Sequence, residues 1–89
     1  MTRRYLVIYE SGPGNLSGFA PDVPGCASTG ASIDELRSNL REALEFHIEG
    51  LAQDGDPIPA AATHVVEVPE HGYAEWLDVS LPTREAISA

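Results

Sequence analysis

The run SIDELRSNLREALEFHIEGLAQDG (residues 32–55) is the feature that most narrows the folds open to this chain. Ser32 and Glu35 form an S-x-x-E capping box: the hydroxyl takes a free backbone N–H at a helix start, and the carboxylate reaches back toward the cap. Asp34 and Glu35 also suit the positive end of the helix dipole. At about 100° per residue, Ile33, Leu36, Leu40, Ala43, Leu44, Ile48 and Leu51 fall on one arc, with Asn39, Glu42, Glu45 and Glu49 off its centre. Gly55 is the stop, and GDPIPAA leaves it as a stiff, extended exit. The spacing predicts one amphipathic helix over residues 33–53.

An apolar stripe of this kind needs a sheet to cover it, and the flanking sequence supplies strands. RRYLVIYE (3–10) is rich in aromatic and β-branched residues. SGPGN (11–15) is dense turn chemistry, and LSGFA (16–20) returns as the second arm of a hairpin. PDVPG turns again, and CAST (26–29) is a short third strand. After the helix, THVVEV (63–68) reads as a weak strand, PEHGY as a turn, and AEWLDVSL (74–81) as a strand by alternation of Leu77, Val79 and Leu81 with Trp76, Asp78 and Ser80. TREAISA is a short tail, read as one helical turn. The expected class is α+β: a mostly antiparallel sheet with one helix packed on one face.

That architecture leaves a question on the first strand. Tyr5, Val7 and Tyr9 alternate with Leu6 and Ile8, so both faces of the strand are apolar, whereas one helix covers one face. Trp76 projects opposite to Leu77 and Val79. A second apolar face bearing Tyr and Trp points to an interface. Tyr5, Val7, Tyr9 and Trp76 are therefore the candidate protein-interface residues, serving a homodimer or a partner. Cover by the 57–63 linker or by the tail is the alternative.

Chemistry is sparse. Cys26 is the lone cysteine, so no internal disulfide forms, which fits a reducing cytoplasm. It stands before the helix cap with no histidine at a telling spacing, and reads as a small buried hydrophobe. His47 lies near the centre of the helix's apolar arc and reads as a core or boundary residue. His64 and His71, with Glu67 and Glu70, could be drawn as a metal site, but Pro69 excludes the helix that would put Glu67 and His71 on one face. GPG lacks the spacing of a phosphate cradle. No catalytic residue, cofactor or metal is expected.

Charge narrows the partners. The chain has 14 Asp and Glu against 5 Lys and Arg, a net charge of −9. Direct nucleic-acid binding is not expected, because that affinity comes from clustered cations. Glu42, Glu45 and Glu49 are either a solvated face or a surface for a basic partner. No signal peptide or membrane span is read.

The segment FAPDVPGCASTGASIDELRSNLREALEFHIEGLAQDGDPIPAA, taken with YLVIYE and the Gly-rich turn, closely resembles the HicB-like antitoxin family. The pieces that carry the resemblance are PDVPGC, a G-x-S-x-x-E link and cap, NLREALEFHIEGL and DGDPIP, over about residues 4–81. The resemblance implies a β-β-β-α-β domain of degraded ribonuclease-H-like type that binds and blocks a small, basic, RNA-cleaving toxin of HicA type. Nuclease activity is not expected, because the first strand has no acidic residue before Glu10 and two-metal nucleases need converging carboxylates. The implied domain is 1–82, with 83–89 as a tail. Many members continue into a DNA-binding domain, and PTREAISA cannot hold two helices, so DNA binding is expected to be absent. The rival reading is an orphan homo-oligomeric module without a toxin. An enzyme using Cys26 or His47 is a third.

Overall fold

The computed structural model describes residues 1–64 and 66–82. Strand β1 (Thr2–Ser11) is the axis of the sheet. It pairs antiparallel with β2 (Leu16–Phe19), from Ile8 opposite Phe19 to Ser11 opposite Leu16. β2 pairs antiparallel with β3 (Ala27–Gly30). Helix α1 (Ile33–Gln53) follows. The last strand, β4 (Gly72–Ser80), returns to the free side of β1 and pairs antiparallel along it, from Thr2 opposite Ser80 to Glu10 opposite Gly72. The order across the sheet is β3-β2-β1-β4. This is the expected α+β arrangement, a β-β-β-α-β chain with one helix on an antiparallel sheet.

The helix begins and ends where its sequence says. Ser32 Oγ accepts from the N–H of Glu35 at 3.2 Å, and Glu35 Oε1 accepts from the N–H of Ala31, one residue before the cap, at 3.1 Å. At the far end Gly55 has φ 78°, the left-handed conformation that costs glycine nothing. Its N–H reaches Ala52 O at 3.1 Å, and the next N–H, of Asp56, reaches Leu51 O at 2.9 Å. These two bonds are the Schellman closure, which satisfies carbonyls the helix itself leaves free.

Leu36, Leu40, Leu44, Ile48 and Ala52 form the buried stripe of α1. The first four pack on Tyr5, Val7 and Tyr9 of β1 and Leu77 and Val79 of β4, in one cluster with Val23 and Cys26 of the β2–β3 loop. Each such side chain contributes about 1.5–3 kcal/mol by leaving water. Helix side chains also reach both edges of the sheet. Asn39 Nδ2 donates to Thr29 O of β3 at 2.9 Å. On β4, Arg41 Nε donates to Asp78 O at 3.1 Å and Ser80 N–H donates to Glu45 Oε2 at 2.7 Å. Edge strands left with free backbone groups invite unwanted pairing, and these contacts occupy some of those groups.

Two expectations change. The third strand starts one residue later than CAST suggests, leaving Cys26 in the loop. Among the described residues of 63–68 there is no strand. β1 already has a neighbour on each side, so this stretch has no place beside it. The linker that leads into it is anchored by side chains: Arg3 Nη1 and Tyr5 Oη donate to Pro59 O at 2.9 and 2.6 Å, and Asp22 accepts from Thr63 N and Oγ1 at 2.9 and 2.7 Å. The helical turn expected in the tail, 83–89, lies outside the described residues.

Candidate interaction surfaces

Register decides which side each strand residue faces. Tyr5 lies opposite Leu77, and Tyr9 lies opposite Tyr73 and Gly18. All of these point toward α1. Tyr5, Val7 and Tyr9 are consequently buried in the core, none more than 2% exposed. The expectation that they share an exposed face with Trp76 is corrected: they are the floor on which the helix sits, and alternation puts Trp76 on the opposite side. Only one of the two apolar faces of β1 could belong to the helix, and the sequence left open which one.

The face away from the helix carries Leu6 and Ile8 of β1. Leu6 is paired with Trp76, and Ile8 with Phe19 on one side and Ala74 on the other. Leu6 and Ile8 are themselves buried. Trp76 and Phe19 remain 43% and 44% exposed. The ring of His64, from the linker, lies 5.9 Å from that of Trp76. Arg4 and Asp78 pair on this face at 2.9 Å. Their hydrogen bond lowers the Asp78 carboxyl and raises the Arg4 guanidinium from their ordinary values.

At the seam between α1 and β4 lies a polar cluster the sequence did not announce. Glu75 accepts from Tyr9 Oη at 2.6 Å, from Arg37 Nε and Nη2 at 2.6 and 3.1 Å, and from Tyr73 Oη at 3.1 Å. Arg37 also meets Asp34 at 3.0 Å. Burial alone would raise the Glu75 carboxyl; the hydrogen bonds from Arg37, Tyr9 and Tyr73 outweigh it and hold the group below its ordinary value. Burial and the bond to Glu75 push the Tyr9 phenol well above its own. The cluster locks helix to sheet and fixes two charges, with every acceptor position on Glu75 already occupied by this chain.

The other candidates are structural. Cys26 is buried, and burial pushes its thiol up, away from the nucleophilic thiolate. His47 is half-buried at the rim of the helix stripe beside Leu51. His64, His71, Glu67 and Glu70 are exposed, and no three His, Cys, Asp or Glu side chains gather as a metal site among the described residues.

On the outer face of α1, where the sequence offered Glu42, Glu45 and Glu49 as a solvated face or a surface for a basic partner, Phe46 was passed over. Phe46 is 80% exposed. Its neighbours one turn away are Glu42, Glu49 and Gly50. A Cβ at Gly50 would meet nothing within 4 Å. Glycine in a helix costs about 0.5–1 kcal/mol relative to alanine, and here no contact among the described residues requires it. Beside Phe46 a groove of about 410 Å³ runs between the helix and β3, lined by Ser28, Asn39, Glu42 and Ala43. Phe46 falls opposite the Leu44–Ile48 stripe, an aromatic on the polar side of an amphipathic helix.

An acidic sheet-and-helix domain whose polar groups are spent on holding itself together, and whose exposed features are aromatics and carboxylates, has the makings of a protein-binding module. Residues 6–83 match the HicB-like antitoxin of bacterial toxin–antitoxin systems, and the chain belongs to that family. A UPF0150 protein of Thermotoga maritima is 32% identical over 63 residues, covering 71% of this chain and 84% of that protein. A 14.9 kDa protein from the rep-hol intergenic region of Haemophilus phage HP1 is 49% identical over 39 residues, and the matched stretch spans 29% of its length. Among solved structures, the N-terminal domain of the Burkholderia pseudomallei antitoxin HicB superposes with a TM-score of 0.68 at 27% identity, covering 91% of this chain and 100% of that one. A chain of the HicA3 and HicB3 toxin–antitoxin complex superposes with a TM-score of 0.72 at 24% identity, covering 88% and 99%, a likeness of fold.

Proposed function

We propose that this domain is an antitoxin that neutralises a small, basic, HicA-type ribonuclease by binding it directly. The observation that carries the reading is membership of the HicB-like family over nearly the whole chain. The charge agrees with it: a net −9 on the chain attracts and orients a basic protein. The antiparallel strands, the helix placed between β3 and β4, and an acid-poor first strand support the description as a degraded ribonuclease-H-like fold that binds rather than cuts. Residues 1–82 form the unit that acts, and its place of action is the cytoplasm, where such a toxin meets RNA. No described helix is long and apolar enough to cross a membrane.

The domain also self-associates through the face that carries Trp76 and Phe19. Of the four interface residues read from the sequence, Trp76 alone keeps that role. The partly exposed aromatic pair flanking Leu6 and Ile8 supports it.

Growth rescue tests the main reading. HicA-type proteins encoded in the source genome are expressed inducibly, with and without this chain. Relief of growth arrest together with a stoichiometric complex is the expected result. Arrest that persists with every such toxin would leave the orphan homo-oligomeric module as the better description. Sedimentation of the wild type against Trp76→Ser reads the dimer, and an unchanged sedimentation coefficient would remove Trp76 from it.

A further inference from the structure

We propose that the outer face of α1 around Phe46 and Gly50 is where this domain holds its basic partner, with Phe46 entering an apolar socket on a HicA-type protein. The proposal rests on the antitoxin reading above and adds the surface that does the work. A single exposed aromatic is ordinary on a protein surface. The weight therefore falls on what surrounds it.

Gly50 stands one helical turn beyond Phe46 on the same face. Among the described residues no neighbour requires glycine there, since a Cβ would meet none of them within 4 Å. What the missing side chain leaves is a flat patch beside the ring, where a second backbone can approach closely. On the other side of the ring lies the groove toward β3, lined by Ala43 and by Asn39, whose side chain is held by its bond to Thr29 O. Knob, flat and groove are continuous.

Charge selects the occupant. Both arginines of the helix are turned to β4, Arg37 onto Glu75 and Arg41 onto Asp78 O. Arg3 and Arg4 are likewise bound, to Pro59 O and Asp78. Around Phe46 the helix presents Glu42 and Glu49, neither in an ion pair with a described residue. A second copy docking here would set carboxylate against carboxylate, and like charges across an interface are strongly disfavoured. A partner with an apolar socket rimmed by Lys and Arg meets both features at once, an aromatic anchor with a polar rim around it. The opposite sheet face lacks this combination: its central residues, Leu6 and Ile8, are already covered, and its charged neighbours Arg4 and Asp78 neutralise each other.

The test uses the whole chain and the HicA-type protein that it rescues in the growth assay, titrated in vitro by calorimetry. Phe46→Ser and Gly50→Gln are each expected to weaken binding about tenfold or more. Gly50→Gln is the telling variant, because glutamine favours the helix: its melting temperature should hold or rise while binding falls, an outcome a purely structural role for Gly50 would not give. Glu42→Lys with Glu49→Lys should slow association and flatten its salt dependence. Glu10→Lys, on the other side of the sheet, should leave affinity within about threefold, a rim-charge effect. A wild-type complex that forms while Phe46→Ser and Gly50→Gln bind as tightly as wild type overturns the docking face and leaves the antitoxin reading intact. Failure of the wild type to bind any HicA-type protein overturns both.

Discussion

Arg37 and Glu75 meet at 2.6 Å across the seam between helix and last strand, the one place where a charge pair joins α1 to the sheet among the described residues. Glu75 also receives the Tyr9 hydroxyl at 2.6 Å from the neighbouring strand. The carboxylate thus collects donors from helix, central strand and edge strand. Its protonation state should matter to the fold far more than that of the exposed glutamates.

The acid limb of stability is the first consequence. The Glu75 carboxyl sits below its ordinary value of 4.5 in the folded chain. A group depressed by folding stabilises fully above its unfolded pKa, and that contribution is lost as pH falls through the folded one. Urea midpoints measured from pH 7 down to pH 3 should decline below about 4.5, the carboxylate range. Glu75→Gln should lower the midpoint at pH 7 and flatten the decline. A slope that persists unchanged in the variant would assign the acid sensitivity to other carboxylates.

The alkaline limb follows with the opposite sign. Tyr9 is raised above its ordinary value of 10.0 by burial and by its bond to Glu75, since the phenolate would be both buried and beside a negative charge. A raised group contributes stability below its unfolded pKa that is lost as pH rises toward the folded one. Stability should therefore fall above about pH 10. Tyr9→Phe keeps the ring in the core and removes the hydroxyl, so it should cost about 1.5–3 kcal/mol at neutral pH, the worth of a hydrogen bond to a charged group. It should also reduce the alkaline decline. Absorbance titration of the tyrosines in the wild type would show one that ionises only with unfolding.

The corner between β3 and α1 makes a steric prediction. A Cβ on Gly30 would lie 2.5 Å from Leu36 N and 2.8 Å from its Cα, both backbone atoms of the first helical turn. Neither can swing away. Gly30→Ala should destabilise by about 1–3 kcal/mol, the usual cost of overfilling a packed site. Gly14→Ala, where a Cβ meets nothing but φ is 84°, should act through backbone strain alone and cost less. Equal losses at the two positions would mean that the helix start shifts to admit the methyl group.

How far the sequence could be read depends on what each feature rests on. The helix was legible to its ends because cap, stripe and stop are all local: Ser32, Glu35 and Gly55 act within a turn of themselves. β1, β2 and β4 were legible by composition and alternation. What failed was long-range. Nothing local says which face of β1 meets the helix, so Tyr5, Val7 and Tyr9 were assigned to the outside when the β1–β4 register puts them beneath α1. THVVEV has a strand's composition, yet its described residues form no strand, and the place beside β1 is taken by β2 and β4. Glu75 looked like one more surface acid; its partners Arg37 and Tyr9 are 38 and 66 positions away. Phe46 was legible as the apolar residue opposite the buried stripe, but lone apolar residues are common on protein surfaces and the pattern by itself carried no signal.

Leu44 and Phe46, two positions apart on α1, give the sharpest contrast in the molecule. Leu44 is fully buried against the sheet, and Phe46 is 80% exposed. Leu44→Ala removes buried methyl groups from a site held between rigid elements and should cost about 2–5 kcal/mol, which for a domain this small is much of its total stability. Phe46→Ala leaves no cavity and should change stability by no more than about 0.5 kcal/mol. Chemical denaturation of the two variants measures the difference directly. A Phe46→Ala loss approaching that of Leu44→Ala would mean the ring is covered in solution by this chain or by a second copy. It would then be unavailable to a partner in the free protein, and the docking role of the outer helix face would fall with it.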